Sequence, residues 1–227
     1  MGAIVADLAD QEAGRDGNVT DEQPPGRPRT PGPVPRGSFD ALYEGTPPWE
    51  IGRPQPALVE LAEAGSIGGR FLDVGCGTGE HAMMAAGIGL DATGVDSAPT
   101  AIAIAERKAR ERGLDVRFLV WDALNLGGLG EQFNTVVDCG LFHVFDDADR
   151  AAFVASLAAV VPTGGRYHML CFSDRQPGEF GPRRVSRDEI RASFADGWDV
   201  EAVDPVTMEV TFRPEGVRAW RASIVRT

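Results

Sequence analysis

The sequence predicts an α/β domain built on a doubly wound, mostly parallel sheet, and three features carry that reading. From residue 70 onward short apolar runs alternate with amphipathic stretches. Strands spaced by helices of about ten to fifteen residues form parallel βαβ units. A glycine-rich turn, "GCGTG", stands directly behind the first apolar run, and the last part of the chain offers strand-like runs with no helix between them. Successive strands without crossover helices place an antiparallel edge on the sheet. A chain of 227 residues holds one full domain of this kind and little more.

Taken in order, residues 14 to 37, "GRDGNVTDEQPPGRPRTPGPVPRG", are rich in Pro, Gly and charge. They carry too little apolar surface to offset their ordering entropy. The chain therefore divides into a disordered tail over residues 1–37 and a folded domain over 38–227. At the start of the domain Phe39, Leu42 and Tyr43 lie at helical spacing, and Pro47-Pro48 force a break. A helix is predicted from Pro56 to Glu63.

The alternation then runs through strand "RFLDVG", helix "EHAMMAAGIG", strand "DATGVD", helix "PTAIAIAERKARERG" and strand "VRFLVWD". Strand "FNTVVDCG", helix "DRAAFVASLAAVV" and strand "GRYHMLCF" follow. After an irregular stretch, Ser186 and Glu189 have the spacing of a capping box that opens a short helix. The tail, "WDVEAVD", "VTMEVTF" and "VRAWRASIVR", reads as three strands.

Composition narrows the function. Lys and Arg number 22 against 34 Asp and Glu, a formal charge of -12, which repels phosphate backbones and anionic lipid headgroups. Neither nucleic acid nor a membrane is an expected partner. Cys76, Cys139 and Cys171 are widely spaced and odd in number, which suits neither a disulfide framework nor a zinc site. No signal peptide or membrane span is read in the chain. The expectation is a cytoplasmic monomer or homodimer without a bound metal.

A strand that ends in glycines and opens a helix gathers backbone N–H groups at one point, suited to a nucleotide-like ligand. Gly75, Gly77 and Gly79 give G-x-G-x-G, whereas the dinucleotide fingerprint needs G-x-G-x-x-G and here meets Glu80 at its third glycine. A carboxylate there opposes a pyrophosphate. Three acids close three successive strands on the same sheet edge: Asp73, Asp96 with Ser97 beside it, and Asp122 with Ala123 beside it. Such acids can accept ribose hydroxyls and an exocyclic amine. Each can equally be a helix cap or a turn residue.

At these residues the chain, from about Phe39 to its end, resembles the class I S-adenosylmethionine-dependent methyltransferases. "LDVGCGTG" is similar to the family's first motif, "GVDSA" to its ribose-binding acid, "VWDA" to its adenine motif and "FNTVVDCGLFHVF" to its fourth strand. The resemblance implies a Rossmann-like seven-stranded sheet with an antiparallel last strand, in agreement with the helix-free C-terminal stretch. It implies S-adenosyl-L-methionine as cofactor. Asp73, Gly75 and Gly77 would then lie near the methionine part, Asp96 at the ribose, and Asp122 with Ala123 at the adenine. A narrower similarity joins "PPWEIGRPQP" to the thiopurine, thiol and heterocyclic-toxin methyltransferases. It would set Trp49 and Gln55 over the methionine end; alternatively Trp49 staples the N-terminal helix to the sheet.

A sulfonium methyl is already electrophilic, so the protein must mainly align an acceptor in line and exclude water. His143, in "GLFHVF", is the histidine placed beside a substrate. It either takes a proton or orients the acceptor, or else it packs against a loop. Cys139 reads as a small residue beside the methyl donor, and Arg183 and Arg184 as partners of surface carboxylates or of an anionic acceptor. Phe142 and Phe180 are candidate pocket walls. "TPPW" is superficially like the motif of nucleic-acid amine methyltransferases, but Thr46 is a poor acceptor for the target amine. The function expected is methyl transfer to the sulfur or hydroxyl of a small heterocycle or phenol, in detoxification or secondary metabolism. The alternatives are a non-catalytic S-adenosylmethionine-binding protein or an NAD(P)-dependent oxidoreductase.

Overall fold

The computed structural model describes residues 39–178 and 181–227, so the predicted tail over residues 1–37 and Phe180 lie outside it. Seven strands form one sheet in the order β3-β2-β1-β4-β5-β7-β6. They are β1 (Phe71–Val74), β2 (Ala92–Asp96), β3 (Arg117–Val120), β4 (Thr135–Cys139), β5 (Arg166–Phe172), β6 (Trp198–Val210) and β7 (Arg213–Arg226). The first five pair in parallel, and β7 runs against both β5 and β6. The strand order reverses at β1 and β4. In open parallel sheets that reversal leaves a crevice at the carboxyl ends of the strands, where ligands bind.

The helices are α1 (Phe39–Leu42), α2 (Pro56–Glu63), α3 (Glu80–Gly87), α4 (Pro99–Arg112), α5 (Asp147–Val160) and α6 (Arg187–Ser193). Their ends follow local chemistry. Proline opens α2 and α4, where a missing N–H costs nothing, and α4 stops at Gly113 in the left-handed conformation. The Asp146 side chain caps α5 by accepting from Asp149 N, and Ser186 with Glu189 forms the predicted capping box on α6.

Successive strand residues feed two hydrophobic layers, as the two-residue period of a doubly covered sheet requires. Leu72, Val74 and Val136 join Phe153, Leu157, Tyr167 and Phe194 on the α5–α6 side. Phe71 and Val137 join Leu58, Leu61 and Ala85 on the opposite side. Among the described residues no helix is long and apolar enough to cross a membrane.

Two local features differ from the sequence expectation. The C-terminal stretch forms two strands, not three, because β6 passes straight through Pro205, which lies opposite Trp220. An edge strand tolerates a residue without an N–H, since one side of it has no neighbour. Register shifts at Val200/Ala202 and Met208/Val210 absorb the irregularity. The segments after β3 and β4, to which the sequence pattern assigned no element, form 3₁₀ turns at Ala123–Leu129 and Phe142–Val144.

Gly94 in β2 shows how tightly the sheet is covered. A Cβ there would lie 2.7 Å from the Phe118 ring and 3.0 Å from Cys76 Sγ. Overpacking of this kind costs about 1–3 kcal/mol. Urea denaturation of Gly94→Ala should show a loss in that range, with part of it recovered when Phe118→Leu is added.

Candidate active site

The crevice is built from the turns that follow β1, β2, β3 and β4. After Val74 the chain passes through Gly75, Gly77 and Gly79 with φ of 69°, 52° and 85°. Side chains other than glycine are strained there. Two of these glycines also make room for neighbours. A Cβ on Gly77 would stand 2.9 Å from the Tyr43 hydroxyl, and one on Gly79 would stand 2.5 Å from Phe118 Cζ.

The three strand-end acids take different positions. Asp73 is 1% exposed, with Oδ2 accepting from Ala82 N at 3.2 Å and Oδ1 buried without a hydrogen-bond partner. Burial pushes its carboxyl up to about 8. Asp96 is half-buried, accepting from Gly77 N and from Ala98 N, each at 2.9 Å, while Ser97 is exposed beyond it. Burial raises the Asp96 pKa as well. Asp122 is exposed and caps its 3₁₀ turn by accepting from Leu124 N at 2.9 Å; the carbonyl of the half-buried Ala123 accepts from Ser156 Oγ at 2.8 Å. Capping and ligand binding are thus compatible, because an ionised carboxylate has about four acceptor sites.

Glu80 does not confront a ligand. Its carboxylate is held bidentately by Arg112 at 2.7 and 2.9 Å and by Lys108 Nζ at 3.0 Å. The distinction from a dinucleotide site therefore rests on glycine spacing, and the repulsion inferred from Glu80 is cancelled by α4.

Residues 43 to 55 lie as a strap across this region. Trp49 packs edge-on against Phe39 and Tyr43, and its Nε1 donates to the Tyr43 hydroxyl at 3.2 Å. Gln55 is buried, and both ends of its amide are taken by β6: Nε2 donates to Glu209 O and Oε1 accepts from Glu209 N, each at 2.9 Å. Its backbone N–H donates to His81 Nε2 at 3.1 Å. The structure thus gives Trp49 the stapling contact with the N-terminal helix and binds the Gln55 side chain to the sheet edge.

In the turn after β4, His143 is buried, with Nδ1 accepting from Phe172 N at 3.0 Å and its ring set edge-on to Phe172. Burial, with Arg150 and Arg184 nearby, pushes its pKa down to about 3. The neutral ring then carries its proton on Nε2, which lies 3.4 Å from where a Cβ on Gly140 would be. Cys139 is half-buried and its thiol is pushed well up by burial. Arg183 bridges Asp147 and Glu189, each at 2.5 Å, so it meets surface carboxylates. Phe142 lies in the core beside Phe194 and does not wall the crevice.

Two site residues were missed in the sequence. Asp138 is fully buried and accepts from Leu141 N at 2.7 Å, Phe142 N at 3.0 Å and Tyr167 Oη at 2.7 Å, fixing the turn that carries His143. An acid inside the apolar run "TVVDC" was the available signal. Tyr43 was expected in the N-terminal helix that caps the site, but its place over Gly77 was not.

With this geometry in view, the comparisons decide the family. Residues 71–165 match the model of the methyltransferase domain family. A 2-heptyl-1-hydroxyquinolin-4(1H)-one methyltransferase of Mycobacteroides abscessus is 36% identical over 176 residues, covering 76% of this chain and 78% of its own. The chain belongs to the class I S-adenosylmethionine-dependent methyltransferases. A probable thiol methyltransferase of Arabidopsis thaliana is 26% identical over 82% of this chain and 85% of its own. A solved structure from work on the conversion of a disulfide bond into a thioacetal group during echinomycin biosynthesis matches with a TM-score of 0.76. It is 39% identical and covers 83% of this chain and 91% of its own.

The methyltransferase crevice fits the family's cofactor. Asp73 Oδ1 is a buried acceptor in want of a donor, and the three glycines let backbone approach closely beside it. An ammonium group is a donor of the kind a desolvated carboxylate needs.

The raised Asp73 carboxyl sets a pH dependence. Its pKa rises from 3.8 to about 8 on folding, so the stability it contributes is full below 3.8 and is lost as pH climbs through 8. The histidines act in the opposite sense, their pKa values being lowered from 6.5, and that gain is complete by pH 6.5. Thermal melts between about pH 6.5 and 8 should therefore show falling stability in the wild type and a flatter profile in Asp73→Asn.

Proposed function

We propose that this methyltransferase transfers the methyl group of S-adenosylmethionine to an anionic oxygen or sulfur of a small, flat acceptor, such as an N-hydroxy heterocycle or a thiolate. The observation that carries the reading is the half-partnered carboxylate of Asp73, buried at the glycine turn where the strand order reverses. Asp73, Gly75 and Gly77 would hold the methionine part, Asp96 with Ser97 the ribose, and Asp122 with Ala123 the adenine. When bound, the cofactor supplies an electrophilic sulfonium methyl.

The acceptor class follows from the acid–base character of the site. A useful general base has a conjugate-acid pKa near the working pH. His143 is pushed down to about 3 and the Cys139 thiol well up; Asp138, raised to about 6, is fully buried and already accepts from three donors, and Asp73, raised to about 8, would be taken by the methionine part of the cofactor. An acceptor that arrives already ionised needs no base, and the His143 Nε2–H then serves to orient it. The hydroxyquinolone acceptor named for the mycobacterial relative and the sulfur chemistry named for the echinomycin-related structure are consistent with such acceptors. The negative formal charge of -12 favours a small molecule over a nucleic acid.

Calorimetric titration with S-adenosylhomocysteine tests the cofactor. Wild type should bind and Asp96→Ala should lose about tenfold or more, a contribution of at least 1.4 kcal/mol. NADH should not bind; NADH binding without S-adenosylhomocysteine binding would overturn the reading. With a labelled methyl donor and 1-hydroxyquinolin-4-ones or aryl thiols, kcat/KM should rise with pH until the acceptor is ionised. His143→Ala should lower the rate without moving that midpoint. Binding without turnover on any acceptor would instead indicate a non-catalytic S-adenosylmethionine-binding protein.

A further inference from the structure

On sequence alone Lys108 belongs to a run of charge, "ERKARER", that reads as the solvated face of a helix. The structure gives it a different place. Its side chain is only 21% exposed, and Nζ donates to Thr78 Oγ1 at 2.7 Å, Glu80 Oε1 at 3.0 Å and Glu50 Oε1 at 3.3 Å. An ammonium has three donors, and all three are used. The acceptors come from three separate parts of the crevice: the glycine turn, the first residue of α3 and the strap.

Glu80 keeps the bidentate Arg112 whether or not Lys108 is present. Lys108 is the cation in direct contact with Glu50, Arg112 acting on it only from a greater distance; the remaining hydrogen-bond donors to Glu50 are Thr78 Oγ1 and Gly52 N. Removing Lys108 would leave the partly buried carboxylates of Glu50 and Glu80 as close like charges. Glu50 adjoins Trp49, which donates to Tyr43, and the Tyr43 hydroxyl overlies Gly77. A continuous set of contacts therefore runs from α4 through the strap to the outer surface of the cofactor turn.

We propose that Lys108 is a positioning residue of the cofactor site: by neutralising Glu50 and bonding Thr78 it holds the strap over the glycine turn and fixes the turn's conformation. The inference rests on the functional reading above. The seating of α4 on the sheet does not depend on Lys108, because Ala101, Ile102, Ala105 and Ala109 supply its buried face. Its contribution belongs to the state in which strap and turn are aligned, so its loss is felt as coupling between strap order and ligand affinity.

The test combines amide hydrogen exchange on the unliganded protein with binding of S-adenosylhomocysteine. Lys108→Met should speed exchange over residues 43 to 55. It should weaken S-adenosylhomocysteine and raise KM for S-adenosylmethionine by about tenfold, with kcat within about threefold. Glu50→Gln should do the same, and the double variant should be little worse than either single one, because both remove one shared interaction. Arg110→Met, on the exposed side of α4, should change none of these. Unchanged exchange in Lys108→Met would overturn the proposal, as would faster exchange with undiminished affinity or additive losses in the double variant. If wild type fails to bind S-adenosylhomocysteine, the functional reading falls, and exchange in the unliganded chain alone still decides whether Lys108 holds the strap.

Discussion

The carboxyl edge of the sheet is governed by the need to supply hydrogen-bond donors to acids with little water around them. Asp73, Asp96 and Asp138 end or nearly end β1, β2 and β4, and burial raises the pKa of each. An unmatched buried carboxylate costs several kcal/mol. The turns beyond the strands are shaped by that demand: Ala82 turns an N–H toward Asp73, Gly77 and Ala98 turn theirs toward Asp96, and Leu141 with Phe142 turn theirs toward Asp138. Only Asp73 keeps an oxygen without a donor. The candidate ligand site and the structural scaffold are therefore the same set of groups, and they differ only in which lone pairs remain.

That identity explains why the glycine turn and its strand-end acids were legible in the sequence. Glycines at alternating positions and acids at strand ends are local signals, each set by backbone conformation within a few residues. The helix from Pro56 to Glu63 and the capping box at Ser186 and Glu189 were legible for the same reason. What the sequence hid depends on long-range partners. Gln55 is defined by Glu209, 154 residues away, and its local context in "GRPQP" says nothing of that pairing. Asp138 lies in a strand covered on both faces, where no polar alternation exists to mark an inward acid. Lys108 reads as surface charge because its acceptors come from elements brought together only by the fold.

Glu80 shows how a correct inference can rest on the wrong force. The residue does interrupt the dinucleotide fingerprint, yet its charge is met by Lys108 and Arg112 and exerts no field on the crevice that they do not offset. The discrimination comes from backbone shape. The third fingerprint glycine serves close packing of helix on strand, and here a long side chain at that position reaches away to α4. Charge at a motif position predicts repulsion only when its compensation is known.

The strap's attachment to β6 has a consequence for how the protein is made. Gln55 pairs with Glu209, Arg53 with the Glu209 carboxylate, and Thr211 N donates to Pro48 O. Every one of those partners lies near the end of the chain, although the strap itself is among the first described segments to leave the ribosome. The glycine turn, its acids and the strap's contacts to Thr78, His81 and Lys108 can form while synthesis is still under way, but the contacts to β6 wait until the β6–β7 hairpin has emerged and paired. The strap's seam with β6 is therefore a late contact in synthesis, closed only after residues about 154 positions downstream have been added.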